Sequence, residues 1–197
     1  MNMAVRRRYT MTARAAAAAA TRQRILATAT EAFLARPYEQ VSLEDVATRA
    51  GVTVQTVLRR FGSKEGLVAA AAEVGLEQVR AERDLAPIGD VPGAVHNLVD
   101  HYEEWGDRVL RMLAQEEQTP AFRSVAEAGR NLHRRWVERT FAPWLPVSRA
   151  ARSRRLAQLT AVTDVSVWKL LRRDQALSRN VTETLLVELV QLITGAP

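Results

Sequence analysis

Apolar residues recur along this chain every three to four positions, which is the spacing that one buried face of a helix requires. No stretch shows the sustained alternation of apolar and polar residues that marks strands. The pattern therefore predicts an all-α protein. From Thr21 onward, Ile25, Ala29 and Phe33 share one helical face, and this helix is expected to end before Pro37.

Two short helices and a longer one are predicted next. Ser42 begins the segment SLED, a capping sequence in which the serine hydroxyl accepts from a first-turn amide and an acidic residue lies near the positive helix end. Gly51 allows a tight turn before the second short helix. Ser63 is a suitable cap for a helix that starts at Lys64 and runs into the low eighties. The apolar stripe of the second short helix is formed by Val54, Val57, Leu58 and Phe61.

The remaining two thirds of the chain follow a segment rich in proline and glycine, residues 84–93. Asn180 and Glu183 stand in capping-box positions for the last helix, and Gly195 is a typical glycine stop. Four longer helices are predicted near 94–114, 121–141, 148–173 and 181–194. The expected domains are a basic, alanine-rich flexible arm (1–20), a three-helix bundle with a helix-turn-helix (21–66), and a larger helical domain (67–197). The alanine run can extend the helix that follows it.

Composition restricts the chemistry. The chain has no cysteine, which excludes disulfides, thiolate zinc sites and a cysteine nucleophile, and favours a reducing compartment such as the cytoplasm. No run of eighteen apolar residues is present to span a membrane. A signal-peptide interpretation of Arg6 to Arg8 and the alanine run is rejected, because Arg14 interrupts the apolar stretch and Arg22 follows it.

Positive charge is concentrated at the N-terminal end. The formal net charge is +6, of which residues 1–75 carry +5 and residues 76–197 carry +1. An excess of this size over a short segment favours an anionic partner such as a nucleic acid, although a basic tail can also occur without any partner.

The predicted second short helix has a polar face opposite its apolar stripe. Two short helices joined by a glycine turn form a helix-turn-helix, and a helix of this diameter fits the major groove of DNA. Gln55 and Thr56 are the expected base readers, while Arg59 and Arg60 can pair with guanine or clamp phosphates. Free amides at helix starts add phosphate-binding positions. The candidate DNA-binding residues are Ser42, Thr53, Gln55, Thr56, Arg59, Arg60 and Lys64.

Each of these features has a simpler interpretation when taken singly. Capping serines are usually only caps, and two adjacent arginines are usually a solvated face. Their coincidence on one small basic bundle favours DNA binding. The arginines of the arm can follow the DNA backbone, enter a minor groove, or form an inert tail.

The segment VSLEDVATRAGVTVQTVLRRFGSKEGLVAA, residues 41–70, resembles the DNA-binding segment of the TetR family of transcriptional regulators. The resemblance covers about residues 21–72. One departure is Leu58, where that family commonly has a tyrosine whose hydroxyl is expected to contact a DNA phosphate. Of the family's usual phosphate contacts, Ser42 and Lys64 carry over directly.

The resemblance implies that the C-terminal domain binds a small molecule and dimerises through its last two long helices. The tail TDVSVWKLLRRDQALSRNVTETLLVELVQLITG, residues 163–195, is also similar to tails of the family. Large apolar residues between the 84–93 segment and these helices are the candidate lining for a small apolar or aromatic effector, or simply core: Trp105, Met112, Phe122, Trp136 and Phe141. Apolar and small residues on the last two helices are the candidate dimer interface, or intramolecular core: Leu159, Val162, Ser166, Leu170, Leu185, Leu189 and Ile193.

No catalytic, metal or cofactor site is expected. His96 and His101 are five positions apart, and with His133 they lack metal-ligand spacing. No phosphate loop and no nucleophile with a base can be assembled. The predicted helix-turn-helix and the resemblance to the TetR family together imply a ligand-responsive transcriptional regulator, a repressor acting as a homodimer on a pseudo-palindromic operator. An architectural DNA-binding protein without an effector is the alternative, and an all-helical enzyme would need a polar site that the sequence does not show.

Overall fold

The computed structural model describes the backbone of residues 3–196 and the side chains of residues 14–196. This part of the chain is helical and contains no strand, which confirms the all-α prediction. It divides into two compact units, Met1–Gly75 and Leu76–Pro197. None of the helices in the described part is both long and apolar enough to cross a membrane. The side chains of Arg6 to Arg8 lie outside the described residues, so their proposed role stays a prediction.

The first unit contains α1 (Met3–Ala35), α2 (Leu43–Arg49), α3 (Val54–Phe61) and the beginning of α4 (Lys64–Asp84), with a 3-10 turn at Tyr38–Gln40. The caps form as predicted: Ser42 Oγ accepts from the amide of Asp45 at 3.0 Å, and Ser63 Oγ accepts from the amide of Gly66 at 3.1 Å. The fully buried centre of this unit is formed by Ile25, Ala29, Ala32, Val46, Val57 and Leu67.

The apolar stripe of α3 is narrower than the spacing predicts. Val57 is fully buried, whereas Leu58 is 36% exposed, and Val54 and Phe61 are half-buried. The expectation that Leu58 points inward is therefore wrong. Successive residues are rotated by about 100° around a helix, so Leu58 lies at the edge of the stripe that Val57 centres.

The second unit contains the end of α4 and five further helices, with a 3-10 turn at Ala142–Trp144. The helices are α5 (Val91–Leu113), α6 (Pro120–Thr140), α7 (Arg149–Val162), α8 (Val165–Lys169) and α9 (Arg179–Thr194). A short π-helical turn, Leu170–Asp174, continues α8. The buried core of the second unit includes Leu98, Val99, Phe141, Leu159, Trp168, Leu186 and Val190.

The helix predicted over 148–173 is divided in two. The hydroxyl of Thr163 donates to the carbonyl oxygen of Leu159 at 2.6 Å, and α7 ends at Val162. Asp164 Oδ1 then accepts from the amide of Ser166 at 2.8 Å and caps α8. Side-chain hydrogen bonds to the backbone end one helix and begin another here, a local competition that apolar spacing does not reveal.

The N-cap of α9 also differs from the prediction. Ser178, not Asn180, caps the helix, because Ser178 Oγ accepts from the amide of Val181 at 3.3 Å while Asn180 lies inside the first turn. The predicted stop at Gly195 is confirmed by its left-handed backbone, φ +74°, and by its amide, which donates to Gln191 at 2.7 Å.

Candidate nucleic-acid interface

The turn between α2 and α3 forms through Gly51. Its φ of +65° lies in the left-handed region, which glycine adopts without the steric cost that a side chain adds. The amide of Val52 then donates to the carbonyl oxygen of Ala47 at 2.9 Å. Thr53 caps α3, since its hydroxyl accepts from the amide of Thr56 at 3.2 Å. The chain therefore builds a helix-turn-helix between Leu43 and Phe61.

The outer face of α3 carries the four predicted polar residues. Gln55 and Arg59 are exposed, and Thr56 and Arg60 are half-buried. The hydroxyls of Thr53 and Thr56 lie 3.0 Å apart, within hydrogen-bond distance. This face combines an amide, a hydroxyl with a methyl group, and two guanidinium groups, which are the groups that read base edges and phosphates.

Among the side chains that the structure describes in the first unit, no acidic group pairs with the two arginines of α3. Arg36, which directly follows α1, pairs with Asp45, and Arg49 of α2 pairs with Glu31 at 3.3 Å. Neither Arg59 nor Arg60 has an ion-pair partner among the residues whose side chains are described, and Arg60 Nε is buried without a hydrogen bond. Uncompensated guanidinium groups on an exposed helix favour an anionic partner.

Lys64 is held by its surroundings. Its Nζ donates to the carbonyl oxygen of Tyr38 at 2.6 Å and lies 3.9 Å from the centre of the Tyr38 ring. An ammonium group has three donors, so this contact leaves two for a phosphate. Ser42 is exposed and uses its hydroxyl as a cap, as described above.

Arg22 is a further candidate that sequence analysis did not assign. It is exposed on α1, and its guanidinium carbon lies 5.8 Å from the centre of the Phe61 ring at the end of α3. The contact joins residues 39 positions apart in the sequence, so local spacing carries no signal for it. It adds another cation beside α3.

The predicted effector-lining residues occupy different environments in the second unit. Phe122, Trp136 and Phe141 are buried, whereas Trp105 and Met112 are half-buried. Trp136 and Phe141 pack edge to face, with their ring centres 5.7 Å apart. Trp136 and Phe141 therefore lie in the core of the second unit, which is the alternative to an effector lining that the sequence analysis kept open. A separate open cleft of about 730 Å³ is lined by residues of α5 and α9, including His96, Arg179 and Glu183.

The residues predicted for the dimer interface also differ in their exposure to solvent. Leu159 is 0% exposed and belongs to the core of its own unit. Leu170 is 48% exposed and Leu189 is 39% exposed, and the neighbouring Leu192 is 81% exposed. Ser166 is exposed, and Val162, Leu185 and Ile193 are half-buried. The face of α9 that carries Leu189 and Leu192 is therefore available to another surface, whereas Leu159 is not.

The histidines lie apart from any metal-like arrangement. His96 is exposed, with Nδ1 3.0 Å from Glu183 and Nε2 3.4 Å from Asp100. Burial lowers the pKa of His101 to about 3 and that of His133 to about 4. Among the described side chains, no group of three or more histidine, cysteine or acidic residues is placed to hold a metal ion.

Comparison with known proteins agrees with this geometry. Residues 25–71 match the family model of bacterial regulatory proteins, tetR family. No curated protein sequence matches the chain significantly.

Similar solved structures cover most of the chain. A TetR-family transcriptional regulator from Streptomyces coelicolor has a TM-score of 0.70 at 17% identity, covering 88% of this chain and 79% of its own. A TetR-family regulator from Mesorhizobium loti has a TM-score of 0.65 at 18% identity, covering 90% and 96%. A transcriptional regulator from Saccharomonospora viridis, solved in complex with choline, has a TM-score of 0.62 at 19% identity, covering 86% and 95%. At these identities the similarity shows the fold.

The family match covers the segment that builds the helix-turn-helix, and the fold of the whole chain is the one these regulators share. Residues 25–71 therefore match the DNA-binding segment of the tetR family of bacterial regulatory proteins, and the chain has the fold of transcriptional regulators of that family.

Proposed function

We propose that the chain is a ligand-responsive repressor that binds a pseudo-palindromic operator as a homodimer. The observation that carries the proposal is the two-sided character of α3. Val57 is fully buried on one side, and Gln55 and Arg59 are exposed on the other. A short helix anchored in this way can enter the major groove with its polar side facing the bases.

Each exposed group has a chemical role in this proposal. Gln55 can bond adenine through two contacts, and Thr56 offers a hydroxyl and a methyl group to a neighbouring base. Arg59 and Arg60 pair with guanine or with phosphates. Phosphate contacts from Ser42, Thr53 and Lys64 fix the orientation of the bundle on the duplex. Without a tyrosine hydroxyl at Leu58, the arginines on and beside α3 supply that contact.

The homodimer is supported by the exposed apolar residues of the last helices. A two-fold interface uses the same residues on both copies, and Leu170 and Leu189 are exposed leucines that would take part in it. Two copies of α3 would then meet successive major grooves about 34–36 Å apart. The proposed interface also includes Val162, Ser166, Leu185 and Ile193.

The effector belongs to the second unit in this proposal. The regulator from Saccharomonospora viridis was solved with choline, which supports a small-molecule ligand for a chain of the same fold. Trp105 and Met112, which are only half-buried, are the candidate lining residues with free surface, beside the buried Phe122, Trp136 and Phe141. The dimer would have one geometry that fits the operator and one that does not. An effector that binds the second geometry more tightly than the first would lower operator affinity. The repressor acts in the cytoplasm, where its operator is.

The proposal is tested by selecting bound fragments from random DNA and comparing variants on the selected site. We expect Thr56→Ala and Arg59→Ala to lose about 1–3 kcal/mol of binding free energy, roughly 5- to 150-fold in affinity, if they contact bases. If Arg59 contacts a phosphate, its loss instead reduces the dependence of binding on salt. The slope of the logarithm of the binding constant against the logarithm of salt concentration then falls by about one in magnitude. Arg49→Ala is the matched control, because Arg49 is already paired with Glu31 on the α2 side.

Unchanged affinity and sequence preference in both α3 variants would exclude this recognition helix. A specific-to-nonspecific affinity ratio near one for the unmodified protein would instead indicate an architectural DNA-binding protein.

A further inference from the structure

The excess of positive charge in the first unit lies in the first part of α1. Residues 1–30 contain six arginines, no lysine and no acidic residue, so they carry +6, which equals the formal net charge of the whole chain. Residues 31–75, which include the helix-turn-helix, contain five basic and six acidic residues and carry −1. The body that presents α3 is therefore close to neutral, and the positive field of this unit originates on α1.

The described arginines of this segment are exposed. Arg14, Arg22 and Arg24 all face solvent, and none of the ion pairs between described side chains includes them. The guanidinium carbon of Arg22 lies 5.8 Å from the centre of the Phe61 ring, at the end of α3. Three unneutralised cations thus lie on the part of α1 that adjoins α3, where a bound duplex would bring phosphates.

An alanine run separates these arginines. Residues 15–20 are all alanine and, apart from Ala18, are exposed. Alanine has the highest helix propensity, so this stretch forms helix without burying a face, and it belongs to the continuous helix α1. Because an α-helix rises 1.5 Å per residue, Arg14 lies about 12 Å from Arg22 along the axis. The run therefore holds the first of the arginines at a fixed distance from the helix-turn-helix.

The helical form of this segment decides which part of a duplex it can contact. An α-helix with its side chains is about 10–12 Å across, whereas the minor groove is about 6 Å wide, so α1 cannot lie inside that groove. The charged groups of residues 14–24 are all guanidinium groups, which bind phosphate oxygens through paired N–H donors. The segment therefore fits the phosphate backbone outside the grooves.

An acidic membrane surface is the other large anion that a basic helix can bind. Helices that lie on membranes insert large apolar side chains such as Trp, Phe and Leu into the lipid. The apolar residues of the segment 14–24 are all alanine, and the larger ones that follow, Ile25, Leu26 and Phe33, are buried in the first unit. The observations therefore favour a duplex over a membrane.

We propose that residues 14–24 of α1 form a second DNA-binding element, which contacts phosphates beyond those that α3 reaches and supplies much of the electrostatic attraction to DNA. This inference rests on the proposed function, because α3 must hold the first unit on the duplex. Phosphates are alike at every base pair, so the element raises affinity for all sequences and leaves base preference to α3.

The test measures the affinity of the full chain for its selected duplex and for a duplex of unrelated sequence at several salt concentrations. The combined variant Arg14→Gln, Arg22→Gln and Arg24→Gln removes three charges and keeps long polar side chains. If each arginine neutralises one phosphate, the slope of the logarithm of the binding constant against the logarithm of salt concentration falls by about 2.7 in magnitude. Affinity for both duplexes is expected to fall by roughly 100-fold at about 0.1 M salt, with base preference unchanged.

A matched control removes the same charge elsewhere. Arg134, Arg135 and Arg154 are exposed arginines of the second unit, and their combined substitution by Gln should leave the salt slope unchanged. This comparison separates a contact made by α1 from a general effect of net charge.

A further variant keeps every charge and changes only the backbone. Ala16→Pro interrupts the helix between Arg14 and Arg22, because proline lacks the amide donor and clashes with the preceding turn. Its affinity for both duplexes is expected to fall by about 5- to 10-fold, since Arg14 is no longer held in place. Circular dichroism and thermal unfolding verify that each variant keeps the rest of its fold.

The inference is overturned if the α1 triple variant keeps the salt slope, if the second-unit variant loses as much, or if Ala16→Pro binds unchanged. Loss of binding to vesicles of acidic phospholipid, with duplex binding retained, would also overturn it. Specific DNA binding that requires Thr56 but not the α1 arginines would refute only the second element. Absence of specific DNA binding by the unmodified protein would refute the proposed function instead.

Discussion

The hydroxyl of Tyr38 donates a hydrogen bond to Oε1 of Glu65 at 2.8 Å, and so joins the turn after α1 to the first turn of α4. Lys64 reinforces the same junction through its bond to the carbonyl oxygen of Tyr38. The helix-turn-helix lies between these positions in the sequence. Its two ends are therefore held by side-chain contacts to buried Tyr38, in addition to the packing of Val57.

Tyr38→Phe removes this bond while keeping the ring. We expect a loss of about 1 kcal/mol in the free energy of unfolding, because Glu65 is largely exposed and the bond competes with water. Urea unfolding of the two proteins measures the difference. Leu58→Ala, a truncation at the exposed edge of α3, controls for general loosening and should leave the Tyr38 bond intact.

The effect of Tyr38→Phe should depend on pH in a defined direction. Backbone and Ser63 hydrogen bonds, then Tyr38, lower the pKa of Glu65, so its contribution is present above the ordinary carboxyl pKa of 4.5 and is lost as pH falls through the depressed value. Burial, then Glu65, raises the pKa of Tyr38, so its contribution is present below 10.0 and is lost at higher pH. A stability difference that stays constant from acid to alkali would contradict this assignment.

Two glycines of α4 should respond oppositely to alanine. A Cβ at Gly66 would collide with the carbonyl oxygen of Phe61, a backbone atom that cannot rotate away, whereas a Cβ at Gly75 would meet no atom within 4 Å. We expect Gly66→Ala to destabilise by about 1–3 kcal/mol. Gly75→Ala should stabilise by about 0.5–1 kcal/mol, because it lowers the entropy of the unfolded chain. If both substitutions raised the temperature of thermal unfolding, the close approach of Gly66 in α4 to Phe61 in α3 would be contradicted.

The start of α9 provides a further comparison. Ser178→Ala removes the capping oxygen from the amide of Val181 and should cost about 1 kcal/mol. Asn180→Ala, inside the first turn, should cost less than half of that. Chemical denaturation measures the free energy of unfolding of both variants. A larger loss for Asn180→Ala than for Ser178→Ala would favour the capping box that the sequence predicts.

Leu189 should be part of the subunit interface. It is 39% exposed on α9, so Leu189→Asp would place a charge in the proposed two-fold contact and reduce the mass observed by sedimentation to that of one chain. Leu85→Asp is the matched control, since Leu85 is an exposed leucine in the loop after α4. A dimer that survives Leu189→Asp, or an unmodified protein that is monomeric, would contradict the proposed interface.

Most of the first unit could be predicted because its signals are local. The caps at Ser42 and Ser63 and the glycine turn at Gly51 depend on residues within a few positions, and all three form as expected. Leu58 was misplaced because apolar spacing assigns a face to each residue but does not tell how wide a face the neighbouring helices can cover.

The second unit was harder to predict because its deciding contacts are distant in sequence. The break at Asp164 reflects a side-chain cap in the middle of an apolar pattern. Arg83 meets Trp136 across 53 positions, and nothing in its local sequence distinguishes it from the exposed Arg80. Burial of Leu159 in the core of its own unit is likewise decided by tertiary packing.

The most direct test of the central claim is a hydroxyl-radical and guanine-methylation footprint of the protein on its selected DNA. The account predicts two protected major-groove segments whose centres lie about 34–36 Å apart, and loss of both in a Gln55→Ala and Thr56→Ala double variant that remains folded. A single protected segment, protection confined to the minor groove, or an unchanged footprint in the double variant would contradict recognition by the outer face of α3.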